Sequence, residues 1–113
     1  MSVIVMRDSD KPWLEPPEGW EGTKPGGTRL TYKSLMPITP GQPNLQRTRY
    51  EPRHFVPPHS HPEDEVIYIL AGSIALGDQT LSSGDALFVP RDTRYSLRAG
   101  DDGAEFVRVG MGA

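Results

Sequence analysis

There is no cysteine anywhere in the chain. Disulfide staples, thiolate-bound zinc and cysteine nucleophiles are therefore all excluded. Hydrophobic residues are sparse, 35% of 113 positions, so a single compact domain is all the chain can build. No apolar run reaches the length of a membrane-spanning helix, so no membrane partner is expected. Nor is there an excess of positive charge: 12 Lys and Arg face 15 Asp and Glu, a net charge of −3. That balance argues against a nucleic-acid partner, which needs a positive field. The opening Met1-Ser2-Val3-Ile4-Val5-Met6 has no basic residue ahead of its short apolar stretch. It makes a poor signal peptide, and a cytoplasmic location is the expectation.

Glycine and proline, by contrast, are plentiful at 12 each. Such punctuation favours many short strands over helices, and no helix is expected. Residues 1–30 read as a Pro/Gly-rich N-terminal arm, with a short strand over residues 2–6. Its Trp13 and Trp20 are apolar anchors that would pin it to the domain or to a partner subunit. Residues 31–113 read as one all-β domain, a small antiparallel β-barrel or jelly roll. Strand signals fall at 29–36, 45–55, 65–70, 74–76, 80–81, 86–89, 95–97 and 104–109. Turns are expected at 71–73, 77–79, 82–85 and 99–103. The 86–89 strand reads as buried. Both faces of 65–70 are apolar, Ile67 and Ile69 on one, Val66, Tyr68 and Leu70 on the other. The second face needs a cover: an opposing sheet, the arm or another subunit.

The chemistry concentrates in His59-Ser60-His61-Pro62-Glu63-Asp64-Glu65, closed by Gly72, an H-x-H-x3-E-x6-G pattern. In an extended chain His59 and His61 share a face, and Glu65 keeps that parity. Two imidazoles and a carboxylate form a half-shell for one divalent transition metal: Fe, Mn, Ni, Cu or Zn. Glu63 and Asp64 read as solvated turn residues. His54, of opposite parity, reads as a surface or rim histidine. Tyr32, Tyr50, Phe88 and Phe106 read as core or cavity lining. Arg47, Arg49 and Arg53 share a face. Turned inward, they would make a cationic wall for a carboxylate-bearing small molecule; turned outward, they are ordinary solvated charges. Arg91, Arg94 and Arg98 carry the same ambiguity.

This pattern resembles the first motif of the cupin superfamily, G-x5-H-x-H-x3,4-E-x6-G, with Arg53 in place of the leading glycine. The second motif, G-x5-P-x-G-x2-H-x3-N, has a partial partner in Gly84 and Pro90. There Asp92 stands for the glycine, Tyr95 for the histidine and Ala99 for the asparagine. The resemblance covers residues 45–110. It implies a cupin barrel, commonly a homodimer. Metal would lie on His59, His61 and Glu65, with Tyr95 either a fourth ligand or an acid/base group. Catalytic roles would fall to Tyr95 and Glu65. The reaction classes open to the fold are oxygenase cleavage, isomerisation, cyclisation and elimination. Two rivals stand beside the enzyme reading: a binding or sensing cupin without turnover, and a metal-free structural barrel.

Overall fold

A computed structural model describes residues 2–16 and 30–111 of the chain. Trp20 lies outside the described residues. The described residues form seven antiparallel strands: β1 (Leu30–Met36), β2 (Pro43–Tyr50), β3 (Phe55–His59), β4 (Asp64–Leu76), β5 (Gln79–Ser82), β6 (Ala86–Val89) and β7 (Tyr95–Met111). They make one sheet, ordered β1-β2-β7-β4-β5, with β3 added on β7 and β6 on β4. This is the antiparallel jelly roll expected, but among the described residues its ladder stays open, with β1 and β5 at its ends.

The strands form where β-branched and aromatic residues alternate with polar ones. In β4, Glu65, Ile67 and Ile69 are buried while Val66, Tyr68 and Leu70 are exposed. Ile67, Ile69 and Ile74 meet Val56, Leu97 and Phe106 in the core. Burying each such side chain stabilises the fold by roughly 1.5–3 kcal/mol.

Several expected turns are bends within long strands. Residues 71–73 do not reverse the chain; β4 continues through them with register shifts at Ile69/Ala71 and Gly72/Ile74. Residues 99–103 likewise belong to β7. Local composition cannot separate a bend from a reversal, because both need glycine. Residues 2–6 form no strand; Val3, Ile4 and Val5 are exposed and unpaired in the sheet. β6 is not a buried strand: only Val89 is buried, and Phe88 is 61% exposed, neither core nor cavity lining.

The described part of the arm docks on the outer side of the domain. Leu14 bridges to Tyr32. Trp13 lies under the Arg49 guanidinium at 4.1 Å, with Lys33 and Arg47 also over its ring. Asp8 pairs with Lys33 at 2.9 Å and with Arg47 at 3.0 Å. Glu105 completes the cluster, 3.1 Å from Arg47 and 2.8 Å from Arg49. Arg47 and Arg49 therefore face away from the interior, and the cationic cavity wall is not built. Gln46, Thr48 and Tyr50 take the inward positions instead.

Candidate active site

A cavity of about 690 Å³ opens inside the sheet. Leu30, Val56, Ile67, Leu97 and Phe106 give it apolar walls. His59, His61, Glu65 and Tyr95 all line it, so the structure brings together the four residues singled out by spacing. β3 ends on His59, β4 carries Glu65 one residue past its start, and β7 begins on Tyr95. The His59–Tyr95 pairing across β3 and β7 sets their rings 4.5 Å apart. The His59 and His61 rings stand 4.8 Å apart, nearly perpendicular.

Each side chain has a defined orientation. His59 is buried, and its Nδ1 lies 2.9 Å from the Pro57 carbonyl. A carbonyl only accepts, so Nδ1 donates this bond, and in a neutral ring Nε2 would keep the lone pair. The Tyr95 hydroxyl donates to Glu65 Oε1 at 3.0 Å. His61 Nε2 stands 3.8 Å from that same oxygen. Glu65 is 1% exposed, and its other oxygen accepts from Arg108 Nε.

Arg108 is the residue the spacing argument missed. Its Nη1 donates to Asn44 Oδ1 at 2.9 Å and to Gln46 Oε1 at 3.0 Å. Its Nη2 donates to Glu63 Oε1 at 3.1 Å. Asn44 Nδ2 donates to the second Glu63 oxygen at 2.5 Å. Glu63 is thus buried in a network, not solvated in a turn. Burial pushes its carboxyl up, but the hydrogen bonds from Asn44 and Arg108 outweigh this and hold it below the usual carboxylate range. Gly110 backs the network; a Cβ there would lie 2.7 Å from Glu63 Oε2 and 2.9 Å from Arg108 Nη1. The available signal was parity on β7, where Ala104, Phe106, Arg108 and Gly110 alternate onto one face.

Other expectations are corrected. His54 is not at the rim: it is fully buried, its ring 4.7 Å from Tyr50 and tilted against it. Arg53, Arg91, Arg94 and Arg98 are exposed and do not line the cavity. Arg91 instead pairs with Asp64 at 3.2 Å. Arg53 and Asp92, which stand in for two motif glycines, keep a left-handed backbone, φ 60° and 59°. That conformation costs a side-chain-bearing residue roughly 1–2 kcal/mol, less for Asp. Hydrogen bonds hold both turns: Arg53 N–H to Gly100 O at 3.0 Å, and Asp92 N–H to His61 O at 2.8 Å. The second bond clamps the backbone of a candidate ligand.

Burial raises the Tyr95 phenol, and the charge and hydrogen bond of Glu65 raise it further. Burial, then the Glu65 charge, does the same to Tyr50. A raised phenol pKa contributes stability that is complete below the ordinary value of about 10 and is lost as pH climbs above it. The melting temperature is expected to fall between about pH 10 and 11. Tyrosinate absorbance of these two residues should appear only as the fold is lost. Full tyrosinate titration with a native circular dichroism spectrum would contradict this.

The fold and the site define a small antiparallel jelly roll with a polar cluster set in an apolar cavity. Residues 46–110 match the family described as Cupin domain, more than half of the chain, and the chain belongs to that family. The search of curated proteins finds no match. Among solved structures, an RmlC-like cupin protein from Ralstonia eutropha superposes with a TM-score of 0.82 at 13% identity, covering 99% of this chain and 70% of that one. KdgF from Halomonas sp. gives 0.72 at 16% identity, covering 96% and 94%. The polyketide cyclase RemF from Streptomyces resistomycificus gives 0.69 at 23%, covering 98% and 80%. At these identities the likeness is one of fold. Among the described residues, no helix is long and apolar enough to cross a membrane.

Proposed function

We propose that this cupin is a metal-dependent enzyme acting on a small molecule held in the cavity. His59, His61 and Glu65 would hold one divalent transition metal. The single observation that carries the reading is the convergence of His59, His61, Glu65 and Tyr95 on one wall of a 690 Å³ cavity. That volume lies within the usual range for small-molecule sites.

The donor set fits a divalent ion in kind. The His59 Nδ1–H anchored on Pro57 is the arrangement that orients a ligating imidazole. Among the described residues, no three His, Asp or Glu side chains are closed round one point. Both Glu65 oxygens are engaged, by Tyr95 and by Arg108. Tyr95, its phenol raised by burial and by Glu65, suits a protonated acid/base role. The metal would supply Lewis acidity or oxygen activation. Tyr95 would hold a proton facing the bound molecule, and the apolar walls would exclude water. The fold is shared with a polyketide cyclase, but fold alone does not choose the reaction.

Elemental analysis of protein purified without chelator or affinity-tag metal tests the reading. Near-stoichiometric Fe, Mn, Ni, Cu or Zn is expected. Absence of metal even after reconstitution would move the protein to a binding or structural role.

A homodimer is part of the same proposal. Phe88, Val66 and Val109 stand in one row across β6, β4 and β7, all exposed, with Tyr68, Leu70 and Met111 beside them. A second copy covering this face would remove the patch from water. Light scattering should give twice the chain mass, and Phe88→Asp should give the monomer. A monomeric wild type would sink the assignment.

A further inference from the structure

Glu65 already has a cation. Arg108 is largely buried, and four of its hydrogen bonds are placed: on Glu65 Oε2, Glu63 Oε1, Asn44 Oδ1 and Gln46 Oε1. Its guanidinium has five N–H groups, so this network consumes nearly all of its donor capacity. It is not left over to receive an anionic ligand. A buried carboxylate needs a paired charge to be tolerated. Arg108 supplies that charge from within the chain.

We propose that Arg108 is a built-in counter-cation that offsets the Glu65 charge and keeps the site folded before any metal arrives, and that by opposing a second cation it sets the metal affinity low. The inference rests on the reading that His59, His61 and Glu65 hold the ion. With neutral imidazoles, Glu63, Glu65 and Arg108 sum to a single negative charge in the cluster. Removing Arg108 alone would leave two. A divalent ion held by Glu65 would share that carboxylate with the guanidinium, and like charges at that range repel. Arg108 acts through Glu65 and is a positioning residue in this scheme.

Arg108→Gln alone strands two buried carboxylates and is at risk of misfolding. The informative comparison is therefore Glu63→Gln against the double variant Glu63→Gln/Arg108→Gln. The double variant removes Glu63 and Arg108 together, leaves Glu65 as the one buried carboxylate instead of two, and keeps amide hydrogen bonding in their place. Calorimetric titration with Mn²⁺ and with Zn²⁺ reads the dissociation constants, and melting with and without chelator reads the fold. The double variant is expected to bind either ion at least ~10-fold more tightly than Glu63→Gln, because the opposing guanidinium is gone and Glu65 keeps its full negative charge for the ion. Wild-type protein should keep its melting temperature in chelator. Equal or weaker binding by the double variant overturns this inference and leaves the metal reading standing. Unfolding of the wild type on chelation also overturns it. If no variant binds metal, the metal reading falls and the inference falls with it.

Discussion

His61→Ala is expected to abolish metal retention while leaving the fold intact. His61 lies just before β4, its side chain 37% exposed, so its loss removes little packing. His59 is a poorer first choice, because it is buried against Tyr95. Affinity should fall by more than about 100-fold, since even loss of an outer-shell partner costs roughly 10–100-fold. The melting temperature in chelator should match that of the wild type. Tyr95→Phe makes the complementary variant. If Tyr95 is an acid/base group, metal content stays near the wild-type value while turnover is lost. If the phenol is a ligand, metal content drops as well. Unchanged metal content in His61→Ala would sink the site assignment.

Gly72→Ala is expected to destabilise the domain more than any other single methyl addition considered. Gly72 has φ +71°, and a Cβ there would lie 2.1 Å from the Gly103 carbonyl oxygen and 2.9 Å from Ala104 Cα. Those atoms are backbone of β7, in the most extensive strand pairing of the sheet, and cannot swing aside as a side chain would. The left-handed backbone costs roughly 1–2 kcal/mol and overpacking a further ~1–3 kcal/mol. Together they should lower the melting temperature by at least ~10 °C in a domain of this size. Gly77→Ala is the control. Gly77 has a similar φ, +60°, but nothing lies within 4 Å of its added Cβ. It should lose only the backbone share, roughly 1–2 kcal/mol. Equal losses at the two positions would show that close approach of β4 and β7 is not what demands glycine at 72.

This second case shows how spacing and structure divide the explanation. Gly72 is visible as the closing residue of the H-x-H-x3-E-x6-G pattern, yet residues 71–73 read locally as a turn. Only the pairing of β4 with β7 reveals a bend where two backbones touch. Glycine permits a reversal and a close approach equally, so the residue type alone cannot distinguish them.

What was legible from the chain rests on short-range geometry. Strand alternation has period two, and it put Glu65, Ile67 and Ile69 on one face of β4 and Val66, Tyr68 and Leu70 on the other. His59 ends β3 and His61 lies in the link before β4, so their meeting with Glu65 needed the two strands brought together. Turn chemistry marked the Gly77-Asp78 hairpin, and the absence of cysteine removed whole classes of site. Tertiary structure decided which face of each strand looks inward, and with it the fate of every charge. Arg47 and Arg49 went outward to Trp13, Asp8 and Glu105, while Arg108 went inward to Glu63 and Glu65. His54 was buried against Tyr50, and Glu63 was drawn into a network with Asn44, 19 positions away in the chain. Such partners lie far apart in sequence. A buried charge is tolerated only where a distant strand brings its counter-charge, and local pattern carries no record of that pairing.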